Sequence, residues 1–123
     1  INNGKFSIYL NSTIYSASSD DSIVVSSASN SMKLYQWQFL CVTRKSDGKV
    51  SFYIGGKNTA PVISGTADQN SGVPAIGTTN IIIGNNTGQT KTMNGSVKLL
   101  NMYEGILTIQ EITQLWQDTR RLI

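Results

Sequence analysis

Apolar and polar residues alternate with a period of two over much of this chain, which is the pattern of half-buried β-strands. In residues 5–10 the apolar side chains at positions 6, 8 and 10 would share one face of a strand. Two further short strands are predicted at 13–18 and 22–27, with a polar turn between them. The beginning of the chain is therefore predicted to be built from short β-strands.

The most organised stretch is Trp37–Gly56, in which two apolar runs flank the sequence Asp47-Gly48. An Asp-Gly pair between two such runs is typical of the turn of a β-hairpin. A loop of two or four residues would place one apolar set from each strand on the same side of the sheet, whereas a three-residue loop without a bulge would separate them and is not expected. The sets are Trp37, Phe39, Cys41 and Thr43 from the first strand, and Val50, Phe52 and Ile54 from the second.

The other side of this hairpin, with Leu40, Val42 and Tyr53, is also fairly apolar. A strand pair that is apolar on both faces belongs in the middle of a layered structure. We therefore expect the hairpin to be a central structural element, with Trp37 in the core.

Polar stretches separate the remaining apolar segments. Residues 57–80 are predicted to form a long loop with a short apolar segment at 61–63, and connections of this length are often functional. Residues 80–84 are predicted to form a short buried strand that ends in a turn at Gly84. A polar loop then leads to an alternating stretch at 96–103, which is predicted to be another strand.

The period changes near the end of the chain. Apolar residues recur at helical spacing from Ile109, and the sequence predicts a helix from Ile109 to about Gln117. Thr108 is a suitable N-cap, and Glu111 stands three residues later, where a capping box requires it. Trp116 is expected to dock this helix. Many strands followed by one terminal helix predict an all-β fold, an antiparallel β-sandwich with one short C-terminal helix.

Composition narrows the class of protein further. The 123 residues fit a single domain, and only 14% of them are charged, against about 25% in an average soluble domain. The net charge is +3, with no basic run longer than a pair, so we expect no nucleic-acid partner. No apolar run approaches the length that spans a membrane, so no membrane insertion is expected. This polar, weakly charged composition suits an extracellular, cell-surface or virion-surface protein.

Two residue counts exclude much catalytic chemistry. The chain has no histidine, which removes the commonest general base, the Ser-His and Cys-His dyads and most zinc sites. Its one cysteine, Cys41, can form no intrachain disulfide and is interpreted as a small buried apolar residue.

The order of motifs from residue 37 to 117 resembles the C-terminal portion of a laminin-G-like domain of the concanavalin A-like lectin/glucanase jelly-roll class. Members of that class show a Trp-led strand, a D-G turn, a strand ending in Y-V/I-N-G, an I-G strand, a G-x-h element and an L-T/S-x-x-E-I helix start. Two positions depart from the pattern: Gly55 stands where Asn is usual, and Lys98 where an acidic residue often follows. The matching residues are Trp37, Asp47-Gly48, Tyr53–Gly56, Ile83-Gly84, Asn94–Val97, Tyr103, Leu107-Thr108, Glu111-Ile112 and Trp116.

The resemblance implies a single laminin-G-like β-sandwich over residues 1–123. Members of the family usually carry additional N-terminal strands, so we expect the missing strands to come from an upstream segment or from another chain. The alternative is a reduced sandwich. Without added strands, a sandwich of this kind would expose apolar sheet surface and open edges.

An enzymatic activity is not expected. Glycoside hydrolases need two carboxylates that face each other about 5–9 Å apart, and no alternating acidic pair occurs on a predicted strand. Asp47 belongs to the turn and Glu111 to the helix cap. No cofactor is implied, although Asp20 and Asp21 are weak candidate ligands for calcium, which favours several oxygen ligands.

The resemblance favours a non-catalytic, lectin-like recognition module of a larger surface, secreted or virion protein, which binds a glycan or a protein partner through its loops. The alternatives are a structural β-sandwich in a viral or phage assembly, such as a capsid decoration or tail protein, and a fragment of a carbohydrate-active enzyme. A stacking aromatic would have to come from Tyr15 or Tyr35, or be absent. The polar candidates for contacts with the ligand are Asn58, Gln69, Asn70, Asn85, Asn86 and Gln89.

Overall fold

The computed structural model describes residues 4–10, 23–74, 81–85 and 92–123. The first two strands are β1 (Ser7–Leu10) and β2 (Ile23–Ser26), which pair antiparallel with Ser7 opposite Ser26. The hydroxyl groups of these two serines lie 2.7 Å apart, in hydrogen-bond contact. The strands predicted at 5–10 and 22–27 are thus confirmed, and the one predicted at 13–18 lies outside the described residues.

The second sheet is built around the central hairpin. It contains β3 (Gln38–Arg44), β4 (Lys49–Gly56), β5 (Val62–Ile63) and β6 (Gln69–Asn70). Strand β4 is central, because β3 pairs along one of its edges and both β5 and β6 pair antiparallel with its other edge. The segment predicted as a long loop therefore contains two short strands that fold back along β4.

The register of the hairpin differs from the predicted one. Cys41 lies opposite Tyr53, and Val42 lies opposite Phe52. Because residues directly opposite each other share a face of the sheet, Phe52 is on the side of Val42 and not on the side of Cys41. The predicted grouping of Phe39 and Cys41 with Phe52 is therefore wrong.

The turn explains this register. The amide of Gly48 donates to the carbonyl of Lys45 at 2.9 Å, and the amide of Lys45 donates to the carbonyl of Lys49 at 2.8 Å. Gly48 has a φ of 85°, in the left-handed region. A type I turn followed by a left-handed residue makes a three-residue loop with a G1 bulge, an arrangement that the Asp47-Gly48 pair also permits.

The two sheets pack on each other through the face of β4 that carries Val50 and Phe52, both fully buried. Val25 of β2 completes the buried cluster, and the ring of Phe6 meets the ring of Phe52 edge-on, with centroids 5.8 Å apart. Burial of side chains of this size contributes about 1.5–3 kcal/mol each. The residues predicted to share one face of β1 all pack here, together with Val42: Phe6, Ile8 and Leu10.

Helix α1 (Ile109–Thr119) follows the predicted start and is succeeded by a short 3₁₀ turn at Arg120–Leu122. The hydroxyl of Thr108 accepts from the amide of Glu111, and the carboxylate of Glu111 accepts from the amide of Thr108 at 2.7 Å. This reciprocal capping box satisfies two amides that a helix N-terminus would leave unpaired. The chain is an antiparallel β-sandwich with one short C-terminal helix, as predicted.

Two predicted strands are wrong in the described part of the chain. Residues 81–84 and 96–103 run without sheet pairing, and most of their side chains are exposed. Ile81 is 71% exposed and Met102 is 62% exposed. The alternating pattern is present in both segments, but a strand also needs a neighbour, and the described residues supply none.

Candidate functional site at the open end of the hairpin

The end of the β3–β4 hairpin opposite its turn brings two loops together. Gln38 pairs with Gly56 as the last pair of the ladder, so residues 33–37 and 57–60 leave the sheet at the same place. We call these two segments the open end. The side chains of Leu34, Tyr35, Trp37, Lys57 and Asn58 are all exposed there.

Tyr35 is presented to solvent in a fixed and unusual conformation. Its relative exposure is 102%, and its φ is 57°, in the left-handed region that residues other than glycine rarely adopt. Gln38 ties down the residues before Tyr35: its Oε1 accepts from the amide of Lys33 at 2.6 Å, and its Nε2 donates to the carbonyl of Ser31 at 3.0 Å. Strained backbone conformations of this kind concentrate at functional sites.

The sequence interpretation placed Trp37 in the core, and the structure shows that this is wrong. It lies one position before β3, beyond the last residue pair of the hairpin, and it is 45% exposed. Because the hairpin loop has three residues, Phe39 and Cys41 lie on the face of the sheet away from Phe52. Position 37 continues that face and so lies away from the packed side. The exposed indole adds a second aromatic ring to the open end.

The other wall of the open end is a tight turn after β4. The amide of Gly56 donates to the carbonyl of Thr59 at 2.9 Å, which folds residues 57–60 back toward the sheet. A Cβ on Gly55 would lie 2.9 Å from the carbonyl oxygen of Thr59 and 3.0 Å from the nitrogen of Pro61. The absence of a side chain at position 55, a departure from the family pattern, therefore makes room for this turn.

Helix α1 is anchored at the same end. The indole Nε1 of Trp116 donates to the carbonyl of Gly56 at 2.7 Å, and the Trp116 side chain is buried. The guanidinium of Arg120 lies 4.7 Å from the centroid of the Trp116 ring, within the range of a cation–π contact. Trp116 thus docks the helix, as the sequence predicted, and brings Arg120 to the open end.

The structure separates the predicted polar candidates. Of the polar candidates that the structure describes, Asn58 is the one in a loop of the open end, where Tyr35 also lies. The Nε2 of Gln69 donates to the carbonyl of Ser26 at 2.9 Å, and the Oδ1 of Asn70 accepts from the amide of Gly72 at 2.9 Å. Both residues belong to β6, which pairs with Lys49 and Val50 near the turn end of the hairpin. Their side chains therefore support the fold far along the sheet from Tyr35.

The remaining candidates lie elsewhere. The Nδ2 of Asn85 donates to the hydroxyl of Thr92 at 3.3 Å, within a loop where the amide of Met93 donates to the carbonyl of Gly84 at 2.6 Å. Gly84 has a φ of 78°, in the left-handed region. A Cβ added to Gly95 would meet only a side-chain atom of Met93, at 3.9 Å. The other candidates fall outside the described residues: Tyr15, Asp20, Asp21, Asn86 and Gln89.

The turn end of the hairpin is a structural region. Its backbone is clamped by Ser71, whose hydroxyl donates to the carbonyl of Gly48 and accepts from Nε of Arg44 at 3.2 Å. The Oδ1 of Asp47 accepts from the amide of Lys49 at 3.1 Å. A Cβ on Gly48 would lie 1.8 Å from the carbonyl oxygen of Gly72. The interpretation of Asp47 and Gly48 as turn residues agrees with this geometry.

The two carboxyl groups whose pKa is lowered, Asp68 and Glu111, also have structural partners. The Lys45 ammonium, 2.8 Å from Asp68, lowers the pKa of that carboxyl. The hydrogen bond from the amide of Thr108 lowers the pKa of Glu111. Both shifts favour the charged form, unlike the raised pKa of a general acid. Among the residues that the structure describes, no three His, Cys, Asp or Glu side chains are grouped to hold a metal ion.

Sequence reasoning missed the exposure of Trp37 and the presence of Lys33, Lys57 and Arg120 around the open end. The available signal was the position of Trp37 at the junction between a polar loop and an apolar run.

A shallow depression of about 270 Å³ also lies on the outer face of α1, but it contains no ionisable side chain. It is lined by Ile109, Gln110, Thr113, Gln114 and Gln117.

Comparison with known proteins identifies one family. A laminin-G-like family model, described as the concanavalin A-like lectin/glucanases superfamily, matches residues 1–113. No curated protein and no solved structure matches the chain. Within the described residues, none of the helical segments has the length and apolar character needed to cross a bilayer.

Proposed function

Because this chain belongs to the laminin-G-like family of the concanavalin A-like lectin/glucanase superfamily, we propose that it is a non-catalytic recognition module that binds a glycan at the open end of its hairpin. The observation that carries the proposal is the full exposure of Tyr35 on a left-handed backbone, in a loop whose preceding residues Gln38 holds. The module would act on an extracellular, cell or virion surface as part of a larger protein.

The open end offers the two kinds of group that a sugar ring needs. The faces of Tyr35 and Trp37 are flat and apolar and can cover the C–H face of a pyranose ring. The Asn58 amide has two donors and an acceptor for hydroxyl groups. The Gln38 contacts order the backbone that precedes Tyr35, so the loop loses less conformational entropy when a ligand arrives.

Three of the five carboxylates that the structure describes have structural partners, which favours a non-catalytic role. Asp47 and Asp68 pair with Lys49 and Lys45 at the turn end of the hairpin. Glu111 is engaged in the helix cap. Hydrolysis of a glycosidic bond needs two carboxyl groups across the bound sugar, and these three have other partners.

The proposal is tested by a glycan array with the intact domain, followed by titration of the best ligand. Tyr35→Ala is expected to weaken binding about fivefold or more, since loss of an aromatic stacking face costs about 1–3 kcal/mol for a stacked nucleobase. Tyr35→Phe keeps the ring and should retain most of the affinity. Tyr103→Ala removes an exposed tyrosine outside the open end and is the matched control. Absence of any glycan ligand, or equal loss in the control, would contradict the proposal.

A second candidate, a structural β-sandwich in a viral or phage assembly, is favoured by a different observation. The unpaired segments at 81–84 and 96–103 expose many large apolar side chains, which in a folded domain mark surfaces that other elements cover. Strands from another segment or another chain would complete the sandwich here. Light scattering of the purified domain, with and without a Leu100→Asp substitution, tests this role: a defined oligomer that the substitution disperses would support it.

A further inference from the structure

We propose that Asn94 is a site of spontaneous covalent modification, at which the main chain closes on the Asn94 side chain and converts it to aspartate and isoaspartate. The inference rests on the exposed Asn94-Gly95 pair, which lies directly before the segment 96–103. It goes beyond glycan recognition and does not depend on it.

The side chain of Asn94 and the amide nitrogen of Gly95 are both free to react. Residues 92–100 are all exposed, and none of them belongs to a helix or a strand. Within the described part of the chain, neither Asn94 nor Gly95 takes part in a hydrogen bond. A Cβ at position 95 would meet only a side-chain atom of Met93, at 3.9 Å. The loop can therefore bring the Gly95 nitrogen to the Asn94 side chain without giving up a hydrogen bond.

Glycine after the asparagine is what makes the ring closure easy. Because it has no Cβ, glycine samples a wide range of backbone angles and does not hinder the approach of its own nitrogen to the preceding side chain. The two reacting groups lie on adjacent residues, so the step is unimolecular and avoids the entropy cost of bringing two reactants together.

The reaction balances with water as its only co-reactant. The Gly95 nitrogen loses its proton and forms a bond to Cγ of Asn94, while the bond from Cγ to Nδ2 breaks and Nδ2 leaves with that proton as ammonia. Water then opens the resulting succinimide. Breaking the ring bond from Cγ to nitrogen gives aspartate, and breaking the bond from the main-chain carbonyl carbon to nitrogen gives isoaspartate. No atom is oxidised or reduced.

The Asp47-Gly48 pair provides an internal comparison, because an aspartate can close the same ring with loss of water. There the buried Gly48 donates its amide to the carbonyl of Lys45 at 2.9 Å. The Oδ1 of Asp47 accepts from the amide of Lys49 at 3.1 Å. Both reacting groups are held in other contacts, so the folded hairpin should protect this pair.

The modification changes the charge and the path of the loop. Each conversion adds a negative charge and lowers the formal net charge of +3 by one. Isoaspartate also inserts an extra carbon into the main chain. The insertion lies between Met93, whose amide donates to the carbonyl of Gly84, and the exposed apolar side chains of 96–103.

The experiment follows the intact chain over time in buffer and in urea, with peptide mapping by mass spectrometry. Trypsin releases residues 92–98, in which Asn94 is the one asparagine, and separates them from the other Asn-Gly pair at 3–4. We expect Asn94 to react in buffer within about threefold of its rate in urea, since an exposed loop needs almost no opening free energy. Asp47 should react at least about tenfold more slowly in buffer than in urea. The ratio for each site is compared because aspartate closes the ring more slowly than asparagine.

Two variants test the mechanism. Gly95→Ala has room for its Cβ and should keep the fold, but it should slow the reaction at Asn94 at least about tenfold. Ser96→Ala, at an exposed position that does not react, is the matched control and should leave the rate unchanged. The parent rate should also rise from neutral to mildly alkaline pH, because the deprotonated nitrogen is the attacking group.

Two results would overturn the proposal. One is a reaction at Asn94 at least about tenfold slower in buffer than in urea, which would mean that the folded loop protects the site. The other is an equal rate in Gly95→Ala and the parent chain, which would mean that water attacks the side chain directly. Neither result bears on glycan binding, so the proposed function would stand or fall by its own test.

Discussion

The indole Nε1 of Trp116 donates a 2.7 Å hydrogen bond to the carbonyl oxygen of Gly56, sixty positions earlier in the chain. This one contact fixes the helix to the sheet where β4 ends and the open end begins. A partly buried carbonyl of this kind costs free energy if its partner is removed. The stability of the helix docking and the shape of the proposed site are therefore linked through a single pair of residues.

Substitution of Trp116 is expected to reduce the free energy of unfolding in two steps. Trp116→Phe keeps most of the buried ring but leaves the Gly56 carbonyl without its donor, at a cost of about 1–3 kcal/mol. Trp116→Ala also removes the ring, and the total loss should reach about 3–5 kcal/mol. Urea denaturation measures both. Gln117→Ala, at an exposed neighbouring position, should change stability by less than about 0.5 kcal/mol; an equal effect of the two alanine variants would contradict the docking role.

Gly48→Ala is expected to be strongly destabilising, by more than about 2 kcal/mol, because two effects add at this position. The left-handed φ of 85° disfavours any side chain, and the new Cβ would meet the carbonyl oxygen of Gly72 at 1.8 Å. The loop 70–73 would have to move off the hairpin turn, releasing the Ser71 clamp.

The matched control is Gly95→Ala, where a Cβ would find only a side-chain atom at 3.9 Å. Thermal denaturation of the two variants side by side is the measurement. We expect a large fall in Tm for Gly48→Ala and almost none for Gly95→Ala. A similar Tm for both would mean that the turn can rearrange without cost.

Local signals predicted the helix well. The capping box depends on Thr108 and Glu111, three residues apart, and on the fixed geometry of a helix start, so sequence spacing is sufficient to find it. The existence of the hairpin was equally clear from two apolar runs around Asp47-Gly48. Its register was not, because the choice between a two-, three- or four-residue loop depends on backbone angles that several loop lengths permit.

The short strands and the exposure of Trp37 depend on tertiary contacts, which no local sequence pattern indicates. Strands β5 and β6 have two residues each and exist because the free edge of β4 binds them; no periodic pattern is visible in so short a segment. For the site, Tyr35 and Asn58 were among the predicted candidates, and the hairpin register brings them to one end. The exposure of Trp37 depends on that same register and was predicted wrongly with it.

Acid should weaken the helix cap. The amide of Thr108 holds the pKa of Glu111 below its ordinary value of 4.5, so the cap contributes its full stabilisation above that pH. The contribution is lost as the pH falls through the lower pKa of the folded state. The Lys45–Asp68 pair acts in the same direction, since the pKa of Asp68 is also lowered.

The variant Glu111→Gln separates the two acids. Glutamine can still accept from the amide of Thr108, but it does not titrate. The dependence of Tm on pH between about 2.5 and 6 should therefore be shallower in this variant than in the parent chain, with the remaining slope assigned in part to Asp68. Identical slopes would show that the cap carries no acid sensitivity.

Tyr35→Gly should raise stability while it removes binding. Glycine adopts a φ of 57° without steric cost, whereas tyrosine in the left-handed region is strained. The Tyr35 side chain is fully exposed, so its removal forfeits almost no packing. The gain is offset in part by the greater flexibility of glycine in the unfolded chain, and a net increase of up to about 1 kcal/mol in the free energy of unfolding is expected.

The same substitution deletes the ring on which the proposed glycan would stack, so affinity for that ligand should fall about fivefold or more, by analogy with the loss of about 1–3 kcal/mol when a stacked nucleobase loses its aromatic partner. Denaturation and titration of one protein preparation give both quantities. A variant that is more stable and does not bind would show that the strain at position 35 is maintained for ligand contact. A variant that loses stability would contradict this and would assign Tyr35 a structural role.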